Sequence, residues 1–394
     1  MATKKYDART AHLAPEGAYQ VLGRAQALEG QGRKIVHLEI GQPDFETFDN
    51  ISQAGRRAIA EGKTRYTPPS GLPALREAIA EAAGAQRGVR FLPEQVVVAP
   101  GTKPNMFYST LALVGPGDEV LYPDPGFPTY KAMVGVAGGT AVPVPLEEEN
   151  DFSFDLQAFD PLIGERTRLI ILNSPSNPTG GVMPLPDLEH IAEAAQRYDC
   201  WVLSDEIYLR IVYDGQQAPS IVSLPGMRER TIVVDGFSKT YAMTGWRLGY
   251  GIMPAELASR MDLLLTHSVG CPAHFTQIAA LEAIRGPQDR VLEVVREYET
   301  RRNLMVEGLN RIPGIVCQKP RGAFYVFPNV RSFGMRSSDL ADYLLEEAGV
   351  AVLPGTAFGD YGEGYLRLSY STAQDTIRAG LDLLAAAFSR LSRK

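Results

Sequence analysis

Between residues 95 and 235, short and almost wholly apolar runs recur at intervals, with helical patterns between some of them. The runs are Gln95-Val-Val-Val-Ala99, Glu119-Val-Leu-Tyr122, Arg168-Leu-Ile-Ile-Leu-Asn173, Cys200-Trp-Val-Leu-Ser204 and Thr231-Ile-Val-Val-Asp235. Helices are predicted at 105–113 and 187–197. A strand that is apolar at successive positions is covered on both faces. The alternation therefore predicts an α/β fold built on a mostly parallel sheet with helices over it. In such sheets ligands sit past the carboxyl ends of the strands.

On the amino-terminal side a helix is predicted at 18–29, a strand at 34–40, a break at Gly41-Gln-Pro-Asp44 and a helix at 51–62. Thr64-Arg-Tyr66-Thr-Pro-Pro-Ser-Gly71 reads as a rigid loop before a helix striped by Leu72, Leu75 and Ile79. The alternation stops around 272–285. A long helix at 289–310 then leads into a smaller α+β region, with strands at 322–327 and 365–370 and helices at 339–347 and 375–391. With 394 residues there is room for two domains. The expected division is a large domain at 46–285 and a small one from 1–45 with 286–394.

A net charge of −7 argues against non-specific nucleic-acid binding. Cys200, Cys271 and Cys317 are far apart and odd in number, which fits a reducing, cytoplasmic compartment. No apolar run approaches membrane-spanning length, and Met1-Ala-Thr-Lys-Lys-Tyr-Asp7 lacks the apolar core of a secretory signal. His12, His37, His190, His267 and His274 show no ligand spacing, so no metal site is expected.

The stretch richest in chemistry is Gly236-Phe-Ser-Lys239-Thr-Tyr-Ala-Met-Thr-Gly-Trp-Arg247. An ammonium group leaving a buried strand end must be paired, neutralised or used covalently. Small neighbours (Gly236, Ser238, Thr240, Ala242) leave room for a bulky group beside Lys239, which can form a Schiff base with a carbonyl. Arg247 offers a planar fork suited to phosphate.

This stretch resembles the lysine signature of the class I/II aminotransferases, pyridoxal-phosphate (PLP) enzymes of fold type I, aspartate-aminotransferase-like. The resemblance runs from Gly41 to Arg367. It implies a seven-stranded sheet in the large domain, PLP on Lys239, and Ser238 and Arg247 at the phosphate. Gly236 stands where the family often has a serine, which implies one phosphate hydrogen bond fewer. Ser204-Asp205-Glu206-Ile207-Tyr208 is similar to the motif whose Asp (Asp205) pairs with the pyridine nitrogen, while Tyr208 contacts the ring's 3-oxygen. Asn173-Ser-Pro-Ser-Asn177-Pro-Thr-Gly180 resembles the element whose second Asn (Asn177) reaches that oxygen and the substrate.

Gly101, Thr102 and Lys103 match the phosphate loop at a helix start, although Pro104 and Asn105 depart from the commoner residues. Phe127 matches the aromatic that stacks on the ring, and Arg367 the arginine that binds the substrate α-carboxylate, with Gly41 leaving room beside it. Tyr66 matches a tyrosine that reaches the partner's phosphate, which implies a homodimer with shared sites.

The resemblance implies transamination between an L-amino acid, aspartate first, and 2-oxoglutarate, with no nucleic-acid or membrane partner. A dicarboxylic substrate needs a second cation, and the only one in the nearby Thr266-His-Ser-Val-Gly-Cys-Pro272 loop is His267. Alanine, aromatic or broad-range transamination and a C–S β-lyase stay open, whereas a non-catalytic regulatory module is disfavoured because all the chemical positions are filled.

Overall fold

The computed structural model describes residues 7–11 and 13–391; His12 and the first six residues, part of the reading above, lie outside them. Twelve strands are present among the described residues: β1 (Val36–His37), β2 (Val96–Ala99), β3 (Glu119–Asp124), β4 (Thr140–Pro145), β5 (Thr167–Asn173), β6 (Trp201–Asp205), β7 (Thr231–Gly236), β8 (Gly249–Ile252), β9 (Tyr325–Val326), β10 (Val350–Ala351), β11 (Leu353–Pro354) and β12 (Leu366–Ser369).

Seven of them form one sheet in the order β2-β8-β7-β6-β5-β3-β4. Strands β7, β6, β5, β3 and β4 pair in parallel, and β8 runs antiparallel to both β7 and β2. The sheet is the mostly parallel one that the apolar runs predict. Their continuity has a direct cause: Leu169–Leu172 and Ile232–Val234 are buried on both faces by flanking helices.

Two strands of this sheet carry no apolar-run signal. β4 holds Pro143 and Pro145, which remove ladder donors and which an edge strand tolerates. β8 reads Gly-Tyr-Gly-Ile, and its glycines serve close packing: a Cβ on Gly249 would lie 2.7 Å from the Thr102 nitrogen.

The covering helices bury regular stripes. Helix Asp49–Ala60 buries Ile51, Ala54, Gly55 and Ala58, and Leu185–Arg197 buries Leu188, Ile191, Ala192 and Ala195. Helix Pro73–Arg87 starts with its proline in the first turn and ends on Gly88 in the left-handed region.

The remaining strands are short. β1 pairs with β10, and β11-β12-β9 form a three-stranded sheet. The expected strand at 34–40 contracts to Val36–His37 because the following carbonyls turn elsewhere: Leu38 O accepts Ser369 N–H, Glu39 O accepts Arg367, and Gly41 O accepts Lys239. The expected strand at 322–327 contracts to Tyr325–Val326, since Arg321 and Gly322 both donate to Gly180 O. The helix expected at 339–347 runs as Ser337–Tyr343 and closes in a π turn, Leu344–Ala348, capped by Gly349.

One buried ionic cluster ties the ends of β6 and β7 to helix Pro73–Arg87. Arg87 donates to Glu206 at 2.7 Å and to Asp235 at 3.0 Å, and the Arg87 side chain has no exposed surface. Ser204 and Ser220 complete Glu206, and Tyr250 donates to Asp235 at 3.0 Å. Removing one member leaves the others buried and uncompensated, at about 3–5 kcal/mol. Arg87→Met is therefore expected to lose about that much unfolding free energy in urea titration. A loss below about 1 kcal/mol would show that the cluster is not what holds these strand ends.

Candidate active site

The carboxyl ends of β2, β3, β5, β6 and β7 open on one side into a cavity of about 690 Å³. Gly41, Thr102, Lys103, Phe127, Asn177, Asp205, Tyr208, Ser238, Lys239, Arg247 and Arg367 all line it, so residues 326 positions apart in the chain converge on one space. Gly101 sits immediately behind, at the end of β2. Tyr66 does not line the cavity: it is 97% exposed on its loop. Neither does any residue of the 266–272 loop, so His267, the helix-terminal residue after Ala255–Thr266, is not a cavity cation in this chain.

Lys239 extends from the turn after β7 and donates to Gly41 O at 2.7 Å. Burial, with Arg367 and Arg247 behind it, pushes its amine down to about 8. The rings of Phe324 and Tyr208 lie 5.6 and 5.8 Å from Nζ. Asp205, at the end of β6, accepts Tyr130 O–H at 2.7 Å and Ile207 N–H at 3.3 Å. Burial pushes its carboxyl up to about 6 against those two bonds, and Asp235 and Glu206 add to the rise.

Tyr208 and Tyr325 share a hydroxyl–hydroxyl bond of 2.7 Å, and burial raises the pKa of both above the usual phenol value, so both stay protonated. Asn173, last in β5, uses its amide to orient Asn177: Asn177 N–H donates to Asn173 Oδ1 at 2.9 Å, and Asn173 Nδ2 donates to Asp205 O at 3.0 Å.

Arg367 arrives on β12, buried, with no carboxylate partner among the described residues. It donates to Glu39 O and to Asn177 Oδ1 (3.3 Å), lies between the rings of Tyr325 (4.6 Å) and Phe358 (5.0 Å), and leaves Nε unbonded. Burial lowers its affinity for a proton. A planar cation held this way is a receptor for an anion.

At the other end, helix Lys103–Leu113 begins just beyond Gly101 and accommodates Pro104 in its first turn. Asn105 is buried and donates to Val97 O at 3.3 Å. Gly101 has φ +89°, and a Cβ there would lie 2.5 Å from Arg247 Nη2. The guanidinium thus packs against the bare backbone at the helix start, where free N–H groups favour an anion. Gly236 has a similar cause: the space a side chain would need is taken by Gly249 Cα (2.9 Å) and Thr102 Cγ2 (3.1 Å).

Several contributors carried no signal in the sequence. Tyr130, Tyr325, Glu39 and Phe358 are single residues whose partners lie far away along the chain. Glu16, Gly17, Tyr19 and Leu22, at the start of helix Gly17–Glu29, also line the cavity. Among them Glu16 forms an ion pair with Lys103, whose Nζ stands 5.1 Å from the Phe127 ring centroid.

The model of the family "aminotransferase class I and II" matches residues 33–384. Aromatic-amino-acid aminotransferase 2 of Thermococcus litoralis is 40% identical over 371 residues, 93% of this chain and 94% of that protein. Aspartate aminotransferase of Pyrococcus abyssi is 42% identical over 353 residues, 89% and 90% of the two chains. The structure of aspartate aminotransferase from Thermus thermophilus with maleate superposes with a TM-score of 0.92 at 37% identity, covering 98% of this chain and 100% of that one.

In the cofactor-free protein the reactivity of Lys239 toward an amine-directed reagent is expected to rise with pH around a midpoint near 8, since only the neutral amine reacts. Arg367→Met removes a neighbouring positive charge, so the midpoint should move upward. Peptide mapping of the labelled lysine gives the readout. A midpoint near 10.4, the ordinary lysine value, would contradict the burial of this amine.

Proposed function

Because the chain belongs to the class I and II aminotransferases, we propose that it is a PLP-dependent transaminase that takes the amino group of L-aspartate to 2-oxoglutarate by a ping-pong mechanism. The observation that supports it most is one cavity holding a lysine of lowered basicity and, unpaired with any opposite charge among the described residues, a buried carboxylate and a buried arginine. Each is the complement of one part of PLP bound to an amino acid.

The residues present fit that cofactor. The Gly101 cradle with Arg247 and Ser238 suits its phosphate, Asp205 the positive ring nitrogen, Tyr208 and Asn177 the 3-oxygen, and Phe127 the ring face. PLP, when bound, supplies an electron sink for the bond-breaking at the substrate α-carbon. Arg367 takes the α-carboxylate as a two-pronged donor, and Asn177 holds the guanidinium in line. The neutral amine of Lys239 accepts the α-proton as general base and returns it as general acid; its lowered basicity keeps a useful neutral fraction at neutral pH. Asp205, held by Tyr130 and a backbone N–H, stays a carboxylate opposite a positive charge.

The substrate side chain is read by elimination. Of this chain's described cations lining the cavity, Lys239, Arg247 and Arg367 have roles, which leaves Lys103 as this chain's candidate for the distal carboxylate of aspartate or 2-oxoglutarate. The relative from Thermus thermophilus with maleate, a dicarboxylate, is consistent with that. Glu16 neutralises Lys103 in this conformation, and Tyr19, Leu22 and Ile40 add apolar surface. Aromatic side chains are therefore the second reading.

We place the chain in the cytoplasm, in keeping with three unpaired cysteines, as a homodimer in which exposed Tyr66 reaches the partner's phosphate site. The division into 46–285 and the two flanking segments remains our assignment of domains.

Lys239→Ala is expected to keep bound cofactor and lose about 10²–10⁴-fold in turnover; near-normal transamination would remove Lys239 as the base. Lys103→Met should lower kcat/KM for aspartate about 10–100-fold while changing that for phenylalanine less than about threefold. Parallel losses for both donors in a panel run against 2-oxoglutarate would exclude Lys103 as the side-chain reader.

A further inference from the structure

Two segments far apart in the chain meet beside the cavity. One follows β3 and brings Phe127 and Pro128 to the lining; the other, residues 355–362, brings Ala357 and Phe358. Asp124, the last residue of β3, joins them. Its carboxylate is buried, accepting Tyr361 N–H on Oδ1 at 3.1 Å and Asp360 N–H on Oδ2 at 3.3 Å. Gly126 N–H donates to Phe358 O at 2.8 Å and closes the junction. Gly359 lies between, at φ +132°, so close that a Cβ would overlap the Asp124 carboxylate.

The junction ends at Arg367. Phe358 is buried, and its ring lies 5.0 Å from the Arg367 Cζ. Among the described residues Arg367 has no ion-pair partner to hold it, so its direction depends on Glu39 O, Asn177 and the two flanking rings. Asp124 also forms no ion pair among the described residues, and burial pushes its carboxyl up to about 6. Burying a carboxylate on backbone N–H groups alone is costly. The structure uses it to fix one loop conformation.

We infer that Asp124 is a positioning residue for the substrate: by clasping residues 360–361 it holds Phe358 over Arg367 and so sets the grip on the substrate carboxylate. The residue touches no reacting atom and acts only through Phe358. The inference rests on the reading of Arg367 as the carboxylate receptor.

The test compares Asp124→Asn, Gly359→Ala, Phe358→Ala and Arg367→Lys in the PLP-loaded enzyme. Succinate, a dicarboxylate that cannot react, reports binding alone, and melting temperature reports folding. Asp124→Asn keeps one acceptor oxygen but turns an N–H donor toward the other backbone N–H and removes the charge, which is expected to raise the succinate Kd and substrate KM about tenfold, with kcat within about twofold. Gly359→Ala breaks the clasp from the other side and carries the test should Asp124→Asn fail to fold.

In the Phe358→Ala background either substitution should add less than about twofold, because their effect passes through that ring. The inference is overturned if Asp124→Asn and Gly359→Ala lower kcat at constant KM, or if their effects multiply with that of Phe358→Ala. Arg367→Lys separates the two claims. If it leaves Kd and KM unmoved, the receptor reading itself fails; if it raises them while the clasp variants do not, only the clasp fails.

Discussion

The site depends on buried charges that the protein leaves unmatched. Asp205 is held by a phenol and a backbone N–H, Arg367 by a carbonyl, an amide and two rings, and Lys239 by a single carbonyl. No two of them pair with each other. A few residues away, Arg87 shared between Glu206 and Asp235 shows that the same fold can also give buried charges an ion-pair partner. The contrast separates the two roles: the Arg87 cluster holds the strand ends together, while the cavity keeps its electrostatic demand for a ligand.

The sheet makes this arrangement possible. Parallel strands place several chain ends side by side, so Asn173, Asp205 and the turn carrying Lys239 emerge within reach of one another. The single reversed strand, β8, brings Gly249 against Thr102 and so closes the end where Arg247 and the Gly101 backbone lie. Arg367 comes from a different sheet, and the carbonyls of Glu39 and Gly41 connect it with Lys239. Ending β1 after two residues is what frees those carbonyls.

Much of this was legible in the sequence because two local signals were strong. Continuous apolar runs declare doubly covered strands, and the resemblance to the class I/II aminotransferases picks out the residues just past them. Local patterns stop at contacts made by distant residues. Nothing near Tyr130 indicates that its hydroxyl serves Asp205, 75 residues on, and nothing near Arg87 indicates two carboxylates more than a hundred residues away. β4 and β8 were missed because proline and glycine mask strand character where an edge or close packing requires them. No residue of the 266–272 loop reaches the cavity, whose cations among the described residues are Lys103, Lys239, Arg247 and Arg367.

The central claim is that one amine, made nucleophilic by burial, holds the cofactor that the rest of the cavity is shaped to receive. Borohydride reduction of the PLP-treated protein, followed by peptide mass mapping, tests it most directly. The account predicts one equivalent of cofactor fixed per chain, all of it on Lys239. Label spread across surface lysines, or a Lys239 peptide of unchanged mass, would contradict it.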